Sequence, residues 1–255
     1  LVADESLFAN GTETGWTGFG LALQAYQKRA VPLCRWVVQL ARKHDRQLFV
    51  RLVKGAYWDT EMKRAQVEGL PGFPLFTSKT ATDVSYLANA RKLVGYADRI
   101  YPQFATHNAY TLGAIYQMGK GKDFEHQCLH GMGETLYDQV VGPQNLGRRV
   151  RVYAPVGTHE TLLAYLVRRL LENGANSSFV HQIVDEGVAP ETIARDPFEA
   201  LSEARAPKAL KAPEALFAPH HRNSRGWDLS DAGVLDHIEA ARRAPLPPAR
   251  PLTVA

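Results

Sequence analysis

Four residues suggest chemistry first. Tyr165, Arg168, Arg169 and Glu172 fall at i, i+3, i+4 and i+7 within YLVRRLLE, a spacing that lines one face of a helix. Two adjacent arginines beside a tyrosine can receive a carboxylate, because each guanidinium offers a planar fork of donors. The competing explanation is a solvated face, with Arg168 and Glu172 as a surface pair worth about 0.3–0.5 kcal/mol. A second signal is Arg51, the lone charge in the apolar run LFVRLV. A buried guanidinium is costly without an accepting or anionic partner, so Arg51 points to a ligand or to a structural ion pair. Gly55, just after Lys54, lets a ligand approach the backbone closely. Trp58 can stack on a flat ring or fill a core.

The elements that would carry these residues alternate in type. Strands are predicted over 19–26, 48–53, 100–105, 125–129 and 150–155, and helices over 33–43 and 82–94, starting with 111–117, and over 160–172. The last helix stops at Asn173-Gly174. Strand–helix alternation implies a parallel α/β sheet. No GxGxxG follows any strand, which favours a TIM-type (βα)8 barrel over an open dinucleotide fold. Five strands are found where closure takes eight, so the barrel is expected to be distorted and incomplete, with three strands lying before Leu1.

In such a barrel, function gathers at the C-terminal strand ends. Each predicted strand ends in hydrogen-bonding residues: Gln24; Arg51 with Lys54; Thr106-His107-Asn108; Gln127; and Tyr153. Residues 1–185 are expected to form the barrel portion. Residues 186–255, with Ala/Pro/Lys repetition over 206–218 and APLPPARP over 244–251, suit a linker or extended arm.

Composition excludes several classes. The chain has 255 residues, 45% of them hydrophobic and 22% charged, with a net charge of +4. That is ordinary for a globular protein and too mild for nucleic-acid binding without basic–aromatic runs. Two cysteines cannot make a disulfide framework, so a cytoplasmic, reducing setting is expected. No run approaches the ~20 apolar residues of a membrane span. The start lacks Met and any signal pattern, which reads as the interior of a longer protein. His126, Cys128 and His130 share one strand face and invite a zinc reading. Gln127 and Leu129 take the opposite face, and only one can face a barrel interior. A serine hydrolase lacks its GxSxG elbow.

Several long segments then become recognisable. LALQAYQKR (21–29), RLVKGAYWD (51–59), FTSKTATDVSYL (76–87), YPQFATHNAYTL (101–112), CLHGMGE (128–134) and RVYAPVGTHETLLAYLVRRLLENGANSSF (151–179) closely resemble the proline dehydrogenase domain of the bifunctional PutA flavoenzymes. NSRGWDL (223–229) resembles the segment leading into their aldehyde dehydrogenase domain. The resemblance implies a distorted (βα)8 barrel carrying FAD. It implies oxidation of L-proline to 1-pyrroline-5-carboxylate by hydride transfer to the flavin N5, with electrons passed to a membrane quinone.

It also implies residue roles. Arg168 and Arg169 would clamp the proline carboxylate beside Tyr165, with Tyr153, Leu129 and Tyr57 around the proline ring. Gln24, Arg51 and Gln127 would touch the isoalloxazine, and Val53, Lys54, Gly55, Ala56 and Trp58 would hold the flavin from the loop after the second strand. Thr77, Lys79, Thr106, His107 and Asn108 would meet the phosphates and adenosine, and Glu172, Ser178 and Phe179 the adenosine side. The family also uses a Lys and an Asp on earlier strands that this sequence does not contain. The implied partners are those strands, the aldehyde dehydrogenase domain, proline and quinone, at the cytoplasmic face of the inner membrane, with homo-oligomerisation left open and no nucleic acid. The other reading is a non-catalytic barrel fragment that needs the earlier strands to bind flavin.

Overall fold

The structure, a computed structural model, describes residues 18–174, 187 and 189–245. Contacts divide the chain into two compact units, one of 1–58 with 74–207 and one of 59–73 with 208–255.

The first unit is built on a five-stranded parallel sheet in sequential order, β1 (Gly20–Gln24), β2 (Leu48–Val53), β3 (Ile100–Ala105), β4 (Glu125–Leu129) and β5 (Val150–Tyr153). In chain order the helices are α1 (Ala30–Lys43) after β1, α2 (Trp58–Val67) and α3 (Lys79–Gly95) after β2, α4 (Ala109–Met118) after β3, α5 (Glu134–Asp138) after β4 and α6 (His159–Gly174) after β5; α2 beyond Trp58 belongs to the second unit. Two short helices come later, α7 (Pro190–Ile193) and α8 (Pro197–Leu201). This is the α/β, TIM-barrel-like arrangement expected, and the barrel is not closed: among the described residues β1 and β5 each pair with one neighbour.

Side-chain alternation explains the sheet's two faces. Along β2, Leu48, Val50 and Leu52 are buried while Phe49, Arg51 and Val53 are half-buried. The buried set joins Leu23, Ile100 and Phe104 in a core with Cys34, Val37, Val38 and Ala41 of α1 and Tyr86, Ala90, Leu93 and Val94 of α3. Spacings of three and four residues put those helical side chains on one face of each helix. The other sheet face carries Gln24, Arg51, Gln103, Glu125, Gln127, Arg151 and Tyr153, a polar row across all five strands.

Helix starts are set by side-chain caps. Ser78 Oγ accepts from the Ala81 amide at 3.1 Å, and Asn108 Oδ1 from the Thr111 amide at 2.9 Å. These caps begin α3 and α4 earlier than hydrophobic periodicity suggests. In the second unit, Gln66 Nε2 donates to the Lys211 carbonyl at 2.7 Å and Asn223 Nδ2 to the Gln66 carbonyl at 2.8 Å. Gly69 and Gly226 pack so closely that a Cβ on Gly69 would lie 1.9 Å from the Ser224 carbonyl oxygen. Helix α9 (Ala232–Arg243), capped by Asp231, was not anticipated from the sequence.

Candidate active site

The strand ends bring Arg51, Gln127 and Tyr153 together. Arg51 Nε donates to Gln127 Oε1 at 2.7 Å, and its guanidinium carbon lies 4.5 Å from the centre of the Tyr153 ring, within cation–π range. Among the described residues no carboxylate lies within ion-pairing distance of Arg51. Among these residues it is held by a neutral amide and a ring, not by an ion pair. Gln24 ends β1 opposite Val53 in register, so both sit at the same mouth.

The loop after β2 folds back over this mouth. Gly55 has φ +129°, and a Cβ there would lie 2.5 Å from the Tyr26 ring, so only glycine fits. Ala56 follows it, and Tyr57 stays exposed with the Arg168 guanidinium 5.1 Å from its ring centre. Trp58 Nε1 donates to the Phe76 carbonyl at 2.9 Å, which pins the loop beside Thr77 at the start of α3. Lys54 pairs with Asp83 on α3. Burial holds the Lys79 ammonium below its ordinary range, and Lys54 nearby adds to this. Asp83 offsets part of this, so the three groups together keep one net positive charge, which favours an anion.

The ends of β3 and β4 add a third group. His107 Nε2 accepts from the Leu129 amide at 3.1 Å. Burial, with a smaller push from Arg169, lowers the His107 pKa to about 4. Thr106 is buried, and its Oγ accepts from the Asn108 amide at 3.2 Å. Tyr137 OH donates to the carbonyls of Thr106 and Gln127. On α6, the Arg169 guanidinium lies 5.4 Å from the Tyr165 ring centre. Arg168 Nε is buried and has no hydrogen-bond partner among the described residues. The Glu172 side chain, Ser178 and Phe179 lie outside the described residues.

Three participants escaped the sequence reading: Glu125, Arg151 and Asp83. Asp83 could have been found from its place one turn into α3 near Lys79. The zinc reading places His126 and Cys128 on the helix-covered face, and His126 is fully buried. Among the described residues no group of three His, Cys, Asp or Glu is placed to hold a metal.

The arrangement is thus an uncompensated guanidinium, a buried donor on Arg168 and a lysine pair, set around one mouth. Residues 3–182 match the family model for proline dehydrogenase. The chain belongs to the proline dehydrogenase family. It is 52% identical over 243 residues to the bifunctional protein PutA of Klebsiella aerogenes and 52% identical over 249 residues to that of Rhizobium meliloti. Those alignments cover 89% and 94% of this chain but 18% and 20% of the relatives, so the chain spans about a fifth of their length. A solved structure of Bradyrhizobium japonicum Proline Utilization A superposes with TM-score 0.87 at 50% identity, covering 96% of this chain and 26% of that one. The chain therefore shares its fold with part of a much longer protein. No helix among the described residues is long and apolar enough to cross a membrane.

Proposed function

We propose that this chain supplies one side of the site at which a proline dehydrogenase binds FAD and L-proline and oxidises proline to 1-pyrroline-5-carboxylate, electrons leaving to a membrane quinone. The observation that carries this is Arg51: a half-buried guanidinium held by a neutral amide and a ring, with no carboxylate within ion-pairing distance among the described residues. Such a cation needs an electron-rich partner, and the Lys54–Asp83–Lys79 group keeps one net positive charge that an anion can meet. A flat ring joined to a diphosphate satisfies both, so the residues present fit FAD.

FAD, when bound, supplies the hydride acceptor at its N5. Gln24, Arg51 and Gln127 would hold the isoalloxazine, with Val53, Lys54, Gly55, Ala56 and Trp58 lining the loop beside it. Thr77, Lys79, Thr106, His107, Asn108, Glu172, Ser178 and Phe179 would hold the phosphates and adenosine. Arg168 and Arg169 bind the substrate carboxylate in this reading, and charge-assisted bonds of that kind contribute about 1.5–3 kcal/mol each. Tyr165, Tyr153, Leu129 and Tyr57 wall the ring and exclude water. Residues 1–185 belong to the barrel and 186–255 lead toward an aldehyde dehydrogenase domain, the whole working in the cytoplasm against the inner membrane.

A second reading is favoured by the edges of β1 and β5, which have no strand partner among the described residues: the chain binds flavin only once further strands complete the sheet. Purified chain that is yellow and reduces a dye with proline supports the first reading. Colourless, inactive chain beside an active longer polypeptide supports the second. In whichever form is active, Arg168→Met is expected to raise the proline KM by about tenfold or more with flavin content kept. An unchanged KM removes the carboxylate role.

A further inference from the structure

Glu125 opens β4 and is only 3% exposed, yet it is a hub. Arg151 grips it with two bonds, from Nε at 2.6 Å and Nη2 at 2.8 Å. Gln103 Nε2 donates to it at 2.7 Å and Gln127 Nε2 at 2.9 Å. The other end of the Gln127 amide, Oε1, receives Arg51 Nε at 2.7 Å. Burial pushes the Glu125 carboxyl up, but the bonds from Arg151, Gln127 and Gln103 together outweigh it and hold the group below the usual carboxylate range.

The order of groups is informative. A carboxylate placed directly on Arg51 would orient it and also cancel its charge. A glutamine orients it without cancelling anything, but an amide can turn over and present NH2 instead of oxygen. Arginine only donates and an ionised carboxylate only accepts. With Glu125 on one side and Arg51 on the other, a single amide orientation satisfies both. Arg151 in turn neutralises Glu125, so little negative charge reaches the mouth.

We propose that Glu125, ion-paired to Arg151, is a positioning residue for Arg51, acting through Gln127 to keep the guanidinium aimed at the mouth as an uncompensated cation. Its use toward a flavin rests on the reading given under Proposed function; the relay itself does not. Glu125→Gln keeps the shape and removes the charge. The Gln127 amide is then free to turn, and Arg51 loses its fixed acceptor.

The first test is hydrogen exchange of the Arg51 Nε–H, followed by nitrogen-15 NMR on the protein and assigned by its loss in Arg51→Lys. Glu125→Gln is expected to speed exchange about tenfold, roughly the protection of one hydrogen bond. Asp123→Asn, which removes a surface pair to Arg149, is expected to leave it unchanged. Exchange in Glu125→Gln equal to that of the parent overturns the relay.

Should Glu125→Gln fail to fold, Arg151→Gln gives the same answer at a half-exposed position. Without Arg151 the Glu125 carboxyl takes up its proton at higher pH, so protection of Arg51 Nε–H is lost at higher pH than in the parent. A pH profile identical to the parent's also overturns the relay. Where FAD binds, Glu125→Gln is expected to lower its reduction potential, because Arg51 favours the more negative reduced ring. A protected Arg51 Nε–H where neither this chain nor the longer polypeptide takes up FAD would keep the relay and remove the flavin reading.

Discussion

The backbone amide of Leu129 donates to Nε2 of His107 at 3.1 Å. The β3–β4 ladder runs only to Ala105 opposite Gln127, so the Leu129 amide meets no strand partner on that side, and the imidazole takes the place of the missing carbonyl. The accepting nitrogen carries no proton, which fixes His107 as the neutral, Nδ1-protonated ring, in keeping with a pKa lowered to about 4. His107→Ala should leave the Leu129 amide without an acceptor and cost about 1–3 kcal/mol in urea unfolding at neutral pH. His107→Gln, whose Oε1 can accept, should recover most of that loss. Equal stability for the parent and the alanine variant would show that the contact does not hold the end of β4.

The hydroxyl of Tyr86 performs a similar task between β2 and β3, one step past the paired residues Leu52 and Phe104. It shares one proton between the carbonyls of Leu52 at 3.2 Å and Ala105 at 3.1 Å. Burial pushes the phenol well above its usual pKa, so the proton stays on the oxygen. Tyr86→Phe is expected to lower stability by about 1–2 kcal/mol with the packing kept. Denaturant titration with an unchanged slope and a shifted midpoint is the signature to look for.

What could be read in advance follows from how local each cause is. β2 and β3 fall at the expected residues because short, mostly apolar runs are a local signal; β4, EHQCL, falls at its expected residues without such a run. α2, with the sequence WDTEMKRAQV, carries few apolar residues and gives periodicity little to find. α9 announces itself mainly through the Asp231 cap. The strand-end polar residues were legible because barrel geometry gives their position a meaning. Glu125 was not, because Tyr101, whose hydroxyl donates to Oε2 at 3.4 Å, and Gln103, Arg151 and Gln127 reach it from three strands, and which strand residues oppose one another is set by register. Register is a property of the assembled sheet.

Glycines offer a paired test of the loop after β2. Gly55→Ala puts a Cβ 2.5 Å from the buried Tyr26 ring at a φ of +129° that other residues rarely adopt. Strain alone costs about 1–3 kcal/mol there, before any clash. Gly113, inside α4, faces open space, with nothing within 4 Å of where a Cβ would stand, and Gly113→Ala is expected to stabilise by roughly 0.5–1 kcal/mol through helix propensity. Thermal unfolding of the two variants should therefore move in opposite directions. A Gly55→Ala protein as stable as the parent would mean that the Tyr26 ring can give way.

Acid sensitivity should rest on His126 together with His107, both of whose pKa values burial lowers to about 4. The ring is fully buried on the helix-covered face of β4, 5.2 Å from the Phe124 ring and edge-on to it. Neither ring nitrogen has a hydrogen-bond partner among the described residues. Burial, with a smaller contribution from Arg148, lowers its pKa to about 4 from 6.5. The unfolded chain therefore takes up a proton on this residue as pH falls below 6.5, while the folded protein refuses it until about 4. The stability associated with the neutral ring is complete above 6.5 and drains away between 6.5 and about 4. His126→Leu removes both the titration and the two unsatisfied nitrogens. It should be more stable than the parent at about pH 5, by more than the difference seen near pH 8, since each unit of pKa shift is worth about 1.4 kcal/mol. Urea midpoints for both proteins across that range would check it. Parallel pH profiles would show that His126 contributes nothing to acid unfolding.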